Sequence, residues 1–230
     1  MKAFIIHIKE NETSRYTADL ALKSCIEHGY QSELVDGITP ETNHIWDKAF
    51  GLQVLKPSHM YDRQIGKNGT RRAYLCKYSN FLNHYRLWLK CIELNETIVV
   101  LEHDVICQHK WDDPQFDEML VLNMQCGLYE QQFDKLKKPE LFEGVNDYVN
   151  PYLIYRSDNH WNGGGMIPGS AAYAITPKGA ARLVTTVRNT GWDKADYIIN
   201  TKSVKMQYIN PDYFIFSHHI VKNQRTSHGE

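Results

Sequence analysis

The run T-I-V-V-L-E-H-D-V-I-C, Thr97 to Cys107, changes character at its midpoint. Thr97-Ile98-Val99-Val100-Leu101 is an unbroken β-branched and aliphatic segment, the pattern of a central strand buried on both faces of a parallel sheet. The segment stops at acid. Glu102 and Asp104 stand two residues apart, so an extended backbone sends both carboxylates out on one side of the strand's carboxyl end and His103 out on the other. In open α/β sheets that edge is where ligands bind. Two hard oxygen donors on a rigid strand end suit Mg2+ or Mn2+, cations that keep coordination sites open for a diphosphate. Acidic residues also end strands by turning into solvent or by capping the next segment, and the triplet alone leaves both readings standing.

Upstream, Leu75, Tyr78, Leu82, Tyr85, Leu89 and Ile92 step by three and four. That spacing predicts an amphipathic helix over Tyr74–Leu94 leading through Asn95-Glu96 into the strand. His84 and Trp88 lie four apart on one face of it and read, on periodicity alone, as packing residues. Asp62–Arg72 before it is a basic, glycine-containing loop whose Arg71 and Arg72 either face phosphate or sit in solvent. The chain opens with a second apolar run, Ala3–Ile8, then a polar loop Lys9–Ser14, a helix over Arg15–His28 and a short strand Ser32–Val35 closed by Asp36-Gly37. This is a βαβ-like unit. Its first loop falls at a strand's carboxyl end, where a nucleotide is contacted in α/β folds, and Lys9 and Arg15 are candidate phosphate contacts there. An ordinary surface salt bridge explains either residue equally well. The glycines of a dinucleotide fingerprint or a P-loop are absent, which argues against hydride transfer and NTP hydrolysis.

Downstream of Asp104 the pattern is irregular. Trp111–Asn123 carries a Trp-Asp-Asp-Pro turn and a short helix, Leu120–Met124 reads as a strand, and charged Glu130–Asn150 reads as an insertion. A strand at Tyr152–Tyr155 precedes His160–Ser170, where Gly163, Gly164 and Gly165 allow either a hinge or a close approach to a ligand. Ala171–Ile175 resumes strand character. Thr176-Pro177 then opens a helix as N-cap and first-turn proline, with Ala180, Leu183, Val184 and Val187 inward. Asp193 and Asp196 follow, before strands at Val204–Ile209 and Tyr213–Phe216 and a polar tail beginning His218-His219.

Length and composition set the outer bounds. A chain of 230 residues fits one α/β domain with a real core, and a net charge of -1 predicts no general polyanion binding. The five cysteines are odd in number and without C-x-x-C spacing, so no disulfide framework or zinc ribbon is indicated and a reducing cytosol is the expected compartment. The amino-terminal apolar run is too short for a signal peptide, and no segment is apolar enough to span a bilayer, so a soluble protein is expected.

With these pieces placed, the chain resembles glycosyltransferase family 25, the group of bacterial lipooligosaccharide galactosyltransferases and collagen galactosyltransferases. The opening strand, polar loop and Arg15, the Asp36-Gly37 strand end, Leu82-Asn83-His84 with Leu87-Trp88, Leu101-Glu102-His103-Asp104-Val105, and Gly169-Ser170 through Pro177-Lys178-Gly179-Ala180 follow the family's order over roughly residues 1 to 215. Three departures stand out. Asn83 replaces a serine, Ser79, Asn80 and Phe81 stand where the family has small residues, and His103 replaces the middle aspartate of the acidic triplet.

The resemblance implies an α/β, GT-A-like fold with a mixed central sheet flanked by helices. It also implies a single domain, with residues 1–104 binding the nucleotide and 105–230 facing the acceptor, including a lid at 125–165. The implied donor is a nucleotide-diphosphate sugar, a UDP-sugar, and the implied cofactor is Mn2+ or Mg2+. Asp104 would hold the cation, Glu102 would act as supporting ligand or sugar contact, and His218 or His219 would complete the site from the tail. Asp196, with Asp193 second, is the candidate base for the acceptor hydroxyl. His84 gains a donor-side role only through the resemblance. Family members mostly invert. A glycan acceptor is favoured, and a hydroxylated nucleobase in modified DNA is a second possibility with Lys135-Leu136-Lys137-Lys138 and Arg71-Arg72 as local phosphate contacts. The competing class is a sugar-nucleotide or glycan-binding protein that kept the fold and lost catalysis, which His103 makes credible.

Overall fold

The structure, a computed structural model, describes residues 1–51, 71–123, 142–147, 167 and 169–217. The chain runs β1 (Lys2–His7), α1 (Glu12–Glu27), β2 (Gln31–Asp36), α2 (Asn43–Ala49), α3 (Arg71–Leu94), β3 (Ile98–Glu102), β4 (Val105–Cys107), β5 (Met119–Val121), β6 (Gly144–Asp147), β7 (Ala172–Ile175), α4 (Pro177–Thr190), α5 (Ala195–Ile198), β8 (Met206–Asn210) and β9 (Phe214–Phe216).

A seven-stranded mixed sheet in the order β2-β1-β3-β7-β5-β8-β6 forms the centre, and β4 pairs with β9 in a separate two-stranded sheet. This is the α/β class expected, a mixed sheet flanked by helices. One detail of β3 differs from the all-parallel expectation. It is parallel to β1 but antiparallel to β7, with Val100 opposite both Phe4 and Tyr173. An apolar run reports burial on both faces, which Ile98, Val99, Val100 and Leu101 have in full, and carries no record of a neighbour's direction.

Alternation along the strands sends side chains into two cores. Phe4, Ile6, Val100, Tyr173 and Val121 pack beneath α3 and α4 with Phe81, Leu82, Trp88 and Leu183. Ala3, Ile5, Val99, Leu101 and Leu120 pack on the other face against Ala18, Ala21 and Cys25 of α1. Full burial of a side chain such as Phe81 or Leu82 contributes about 1.5–3 kcal/mol. Caps set the helix starts: the Asn11 side chain accepts from Ser14 N at 2.9 Å, and Thr176 accepts from Gly179 N at 3.2 Å. Gly179 has a second duty, since a Cβ there would collide with the Glu118 carbonyl.

Asn83, the departure from the family serine, is a buried clamp. Its Oδ1 accepts from Ile38 N at 2.7 Å and its Nδ2 donates to Ile38 O at 3.1 Å, fixing the chain just after β2 to α3.

Two expectations need correction. The short helix placed within Trp111–Asn123 is absent: Asp113 takes a positive φ of 59° immediately before Pro114, and Trp111 turns edge-on to Phe116 and Tyr213. A helix cannot pass that dipeptide, and burial of the aromatic holds the extended route. The helix α3 begins at Arg71 rather than after a loop reaching Arg72. Helix α2 and strand β4 were not foreseen. Of the lid at 125–165, only 142–147 are described, and there β6 pairs antiparallel with β8 at the sheet edge. The 62–70 loop, Tyr152–Tyr155, the three glycines, Lys135–Lys138, His218 and His219 lie outside the described residues. Among the described residues Cys25, Cys76, Cys91 and Cys107 are free thiols, and no helix is long and apolar enough to cross a membrane.

Candidate functional site

Strands β1, β2, β3, β5 and β8 run the same way, so their carboxyl ends share one edge of the sheet. Glu102 ends β3 on that edge with its side chain 29% exposed. Three donors converge on one of its oxygens, Oε1: Asn80 Nδ2 at 3.2 Å, Ser170 Oγ at 3.3 Å and His84 Nε2 at 3.3 Å. No described residue donates to Oε2. The carboxylate is thus pinned through one oxygen, and the other meets no donor among the described residues. Burial acts to raise its pKa, and the His84 hydrogen bond, followed by the charge that the His84 and His103 rings carry when protonated and by Asn80, outweighs that and holds the carboxyl well below its ordinary value.

Behind Glu102 the polar contacts continue into the core. His84 is fully buried; its Nδ1 lies 2.9 Å from the Tyr173 hydroxyl, and that hydroxyl accepts from Trp88 Nε1 at 2.9 Å. His84 therefore stands behind Glu102, reached through it.

Asp104 follows two residues later, 8% exposed, and its backbone carbonyl accepts from Ser217 N at 2.7 Å. The residue between them faces the other way. β3 ends at Glu102 and residues 103 and 104 form a turn, so the extended backbone assumed for the triplet stops at its first residue; His103 Nδ1 is 3.1 Å from the Thr17 hydroxyl of α1.

Asp196 sits half-buried in the first turn of α5. Burial raises its carboxyl to about 6, Lys194 opposes, and the negative charges of Glu102 and Asp193 add to the rise. Asp196 and Glu102 thus feel one another across the site, and Lys77 of α3 lies close enough to interact with Asp193 and Asp196. Asp193 is more enclosed, 1% exposed, with Oδ1 accepting from Lys194 N at 2.7 Å. That contact shapes the turn into α5, and of the two aspartates Asp196 is the more accessible.

The β1 end is more open. Lys9 forms an exposed salt bridge with Asp36 at 3.0 Å, and His7 Nε2 approaches the same carboxylate at 3.3 Å. Arg15 is exposed near the start of α1. The structure therefore brings His84 against Glu102, sets Asp196 with Asp193 within electrostatic reach of it, leaves Asp104 two residues further along the chain, and keeps Lys9 and Arg15 at the β1 end, one strand away.

The sequence reading missed Asn80, Ser170, Tyr173 and Asn123. Asn80 was within reach, being four residues before His84 on the same helix face. Tyr173 carried no local signal. Asn123, 3% exposed just past β5, has neither amide atom hydrogen-bonded among the described residues.

Among the described residues no three His, Cys, Asp or Glu side chains converge on one metal position. What the edge does offer is hard oxygen, from the carboxylates of Glu102 and Asp104, a donor type that fits Mn2+ or Mg2+ completing its shell with phosphate and water.

A family model described as glycosyltransferase family 25 (LPS biosynthesis protein) matches residues 1–199. Among solved structures the chain is similar to mouse xyloside xylosyltransferase 1 in its apo form, at 11% identity and a TM-score of 0.32, covering 86% of this chain and 80% of that one. No curated protein matches.

Proposed function

The chain belongs to glycosyltransferase family 25, and we propose that it moves a sugar from a UDP-sugar to a hydroxyl of a glycan acceptor, with inversion. The observation that carries this reading is Glu102, held through Oε1 by three donors and with no donor to Oε2 among the described residues, at the carboxyl end of β3 on the edge where open α/β sheets bind ligands.

Sugar transfer must expel a diphosphate while positive charge grows at the anomeric carbon, so the site needs a counter-charge at the leaving group and a base at the acceptor. Lys9 and Arg15 at the β1 end contact the nucleotide phosphates. Glu102 and Asp104 would hold Mn2+ or Mg2+, with His218 as a further ligand; bound there, the cation offsets charge on the departing diphosphate. Asp196 takes the acceptor proton. A carboxyl raised to about 6 is ionised at neutral pH yet basic enough to accept a proton as the new bond forms. Attack by the acceptor from the face opposite the diphosphate inverts the anomeric centre.

The test is calorimetric titration of UDP, with and without Mn2+, into the wild type and Asp104→Ala, followed by a screen of UDP-sugars for hydrolysis. Metal-dependent UDP binding lost in the variant supports the donor site, and the hydrolysis profile then names the sugar. Absence of UDP binding with every divalent cation sinks the reading. Binding without hydrolysis or transfer of any sugar favours instead a binding protein of the same fold.

A further inference from the structure

We propose that Trp88 and Tyr173 are positioning residues that lock His84 in its Nε2–H tautomer and so aim Glu102 at the donor, an inference that rests on the functional reading above.

The direction of the chain follows from what each group can do. An indole N–H only donates, so the Tyr173 oxygen, 2.9 Å from Trp88 Nε1, must accept from it. The phenol hydrogen then needs an acceptor, and His84 Nδ1 stands 2.9 Å away. If Tyr173 donates there, Nδ1 carries the lone pair and Nε2 carries the hydrogen. That hydrogen faces Ser170 Oγ at 3.1 Å and Glu102 Oε1 at 3.3 Å, both acceptors. The Ser170 hydroxyl in turn donates to Oε1 at 3.3 Å. Every donor in the series meets an acceptor.

The opposite tautomer fails at two places. With hydrogen on Nδ1, the Tyr173 oxygen would receive two donors and its own hydrogen would find no acceptor among the described residues in a fully buried site. The Nε2 lone pair would meanwhile face a carboxylate oxygen. Leaving a buried donor unmet and setting two lone pairs against each other are both costly in a low-dielectric interior.

The consequence reaches the reacting end. Oε1 receives Asn80 and His84 from α3 and Ser170 from the segment before β7, which anchors that oxygen and leaves Oε2, without a donor among the described residues, for the donor or its cation. Trp88 and Tyr173 touch neither. They act through His84, as outer hydrogen-bond partners orient the ligands of metal and catalytic sites. This also gives the spacing of His84 and Trp88 on α3 a meaning beyond packing.

Long-range proton–nitrogen NMR of the histidine rings, in the wild type and in Tyr173→Phe, tests the idea. Phe keeps the ring and removes only the hydroxyl, and thermal melting confirms that the variant folds. The wild type is expected to show His84 protonated at Nε2 alone, and Tyr173→Phe to show a mixture of tautomers with UDP-sugar turnover down by about 10- to 100-fold and KM for the donor changed less. Trp88→Phe, which frees the Tyr173 oxygen from its donor, should fall between the two. A wild-type His84 protonated at Nδ1, an unchanged tautomer in Tyr173→Phe, or a changed tautomer with full turnover each overturns the proposal. A wild type that binds no UDP removes the functional reading and the positioning role with it, and is told apart because the tautomer spectra are unaffected.

Discussion

His103 Nδ1 lies 3.1 Å from the Thr17 hydroxyl of α1, whereas Glu102, one residue earlier, is held by Asn80 and His84 of α3. Glu102 ends β3 and His103 opens the turn after it, and the two side chains reach helices on opposite sides of the sheet. The histidine standing where the family pattern has an aspartate is thereby turned away from the face that Glu102 presents. His103→Ala is expected to leave Mn2+-dependent UDP affinity within about twofold of wild type, the range of substitutions that break no special contact. Titration of UDP into the variant checks this; a drop of a hundredfold would make His103 a ligand after all.

Glu118 offers a contrasting carboxylate, buried for structure. It is 1% exposed, receives Lys205 N at 2.8 Å, and pairs with Lys178 at 3.0 Å and Arg182 at 3.2 Å, joining the residue before β5 to α4 and to the approach to β8. Burial would raise its carboxyl, but the Lys205 N–H, then Lys178 and Arg182, lower it below the ordinary value. A depressed folded pKa means stability that is present above the ordinary glutamate pKa and lost as pH falls through that range. Glu118→Gln should cost about 1–3 kcal/mol at pH 7 and flatten the acid limb of the stability curve, with UDP binding unchanged. Urea denaturation across pH 3 to 8 reads both effects, and an undiminished acid limb in the variant would count against the assignment.

How far the chain could be read in advance divides along one physical line. Features carried by local pattern were legible: the β3 run, the three-four stepping of α3, the Thr176-Pro177 start of α4, and the two acids at the strand end. What the pattern left dark was pairing across the chain. Nothing near His84 announces that Tyr173, 89 residues later, completes its second hydrogen bond, or that Ser170 shares Glu102 Oε1 with it. The stretch Trp111–Asn123 shows the same limit from the other side, since tertiary packing of Trp111 and the Asp113-Pro114 turn overrode the short helix expected there. Asn83 was read only as a departure from a motif, and its bidentate grip on Ile38 emerged from the fold.

Asn123 should report on buried polarity directly. Both its amide atoms lack hydrogen-bond partners among the described residues although the residue is 3% exposed. An unmet buried amide costs about 1–3 kcal/mol, so Asn123→Leu, similar in volume and without polar atoms, is expected to raise the unfolding free energy by about 1–2 kcal/mol. Urea melts of the two proteins decide it. A loss of stability would mean that an ordered water completes the amide's bonds.

Asp196 links stability to chemistry most sharply. Burial, with Glu102 and Asp193 adding to it against Lys194, raises its folded carboxyl to about 6 from an ordinary 3.8. The native state therefore holds this proton more tightly than the unfolded chain does. The contribution to stability is fully present below the ordinary value and is lost as pH rises through about 6. Asp196→Asn keeps the neutral form at every pH, so it should gain about 1–3 kcal/mol over wild type at pH 8 and nothing at pH 3. The same substitution removes the base, and sugar transfer should fall by about 10²- to 10⁴-fold while UDP affinity stays intact. In the wild type kcat/KM should climb with pH through about 6 and level off above it, as the carboxylate form becomes dominant. Melting curves at the two pH values, paired with transfer rates across the range, check both halves. A variant that is less stable at pH 8 and still transfers sugar would show Asp196 to be a cap on α5, and the acceptor's base would then have to be sought elsewhere on the same edge.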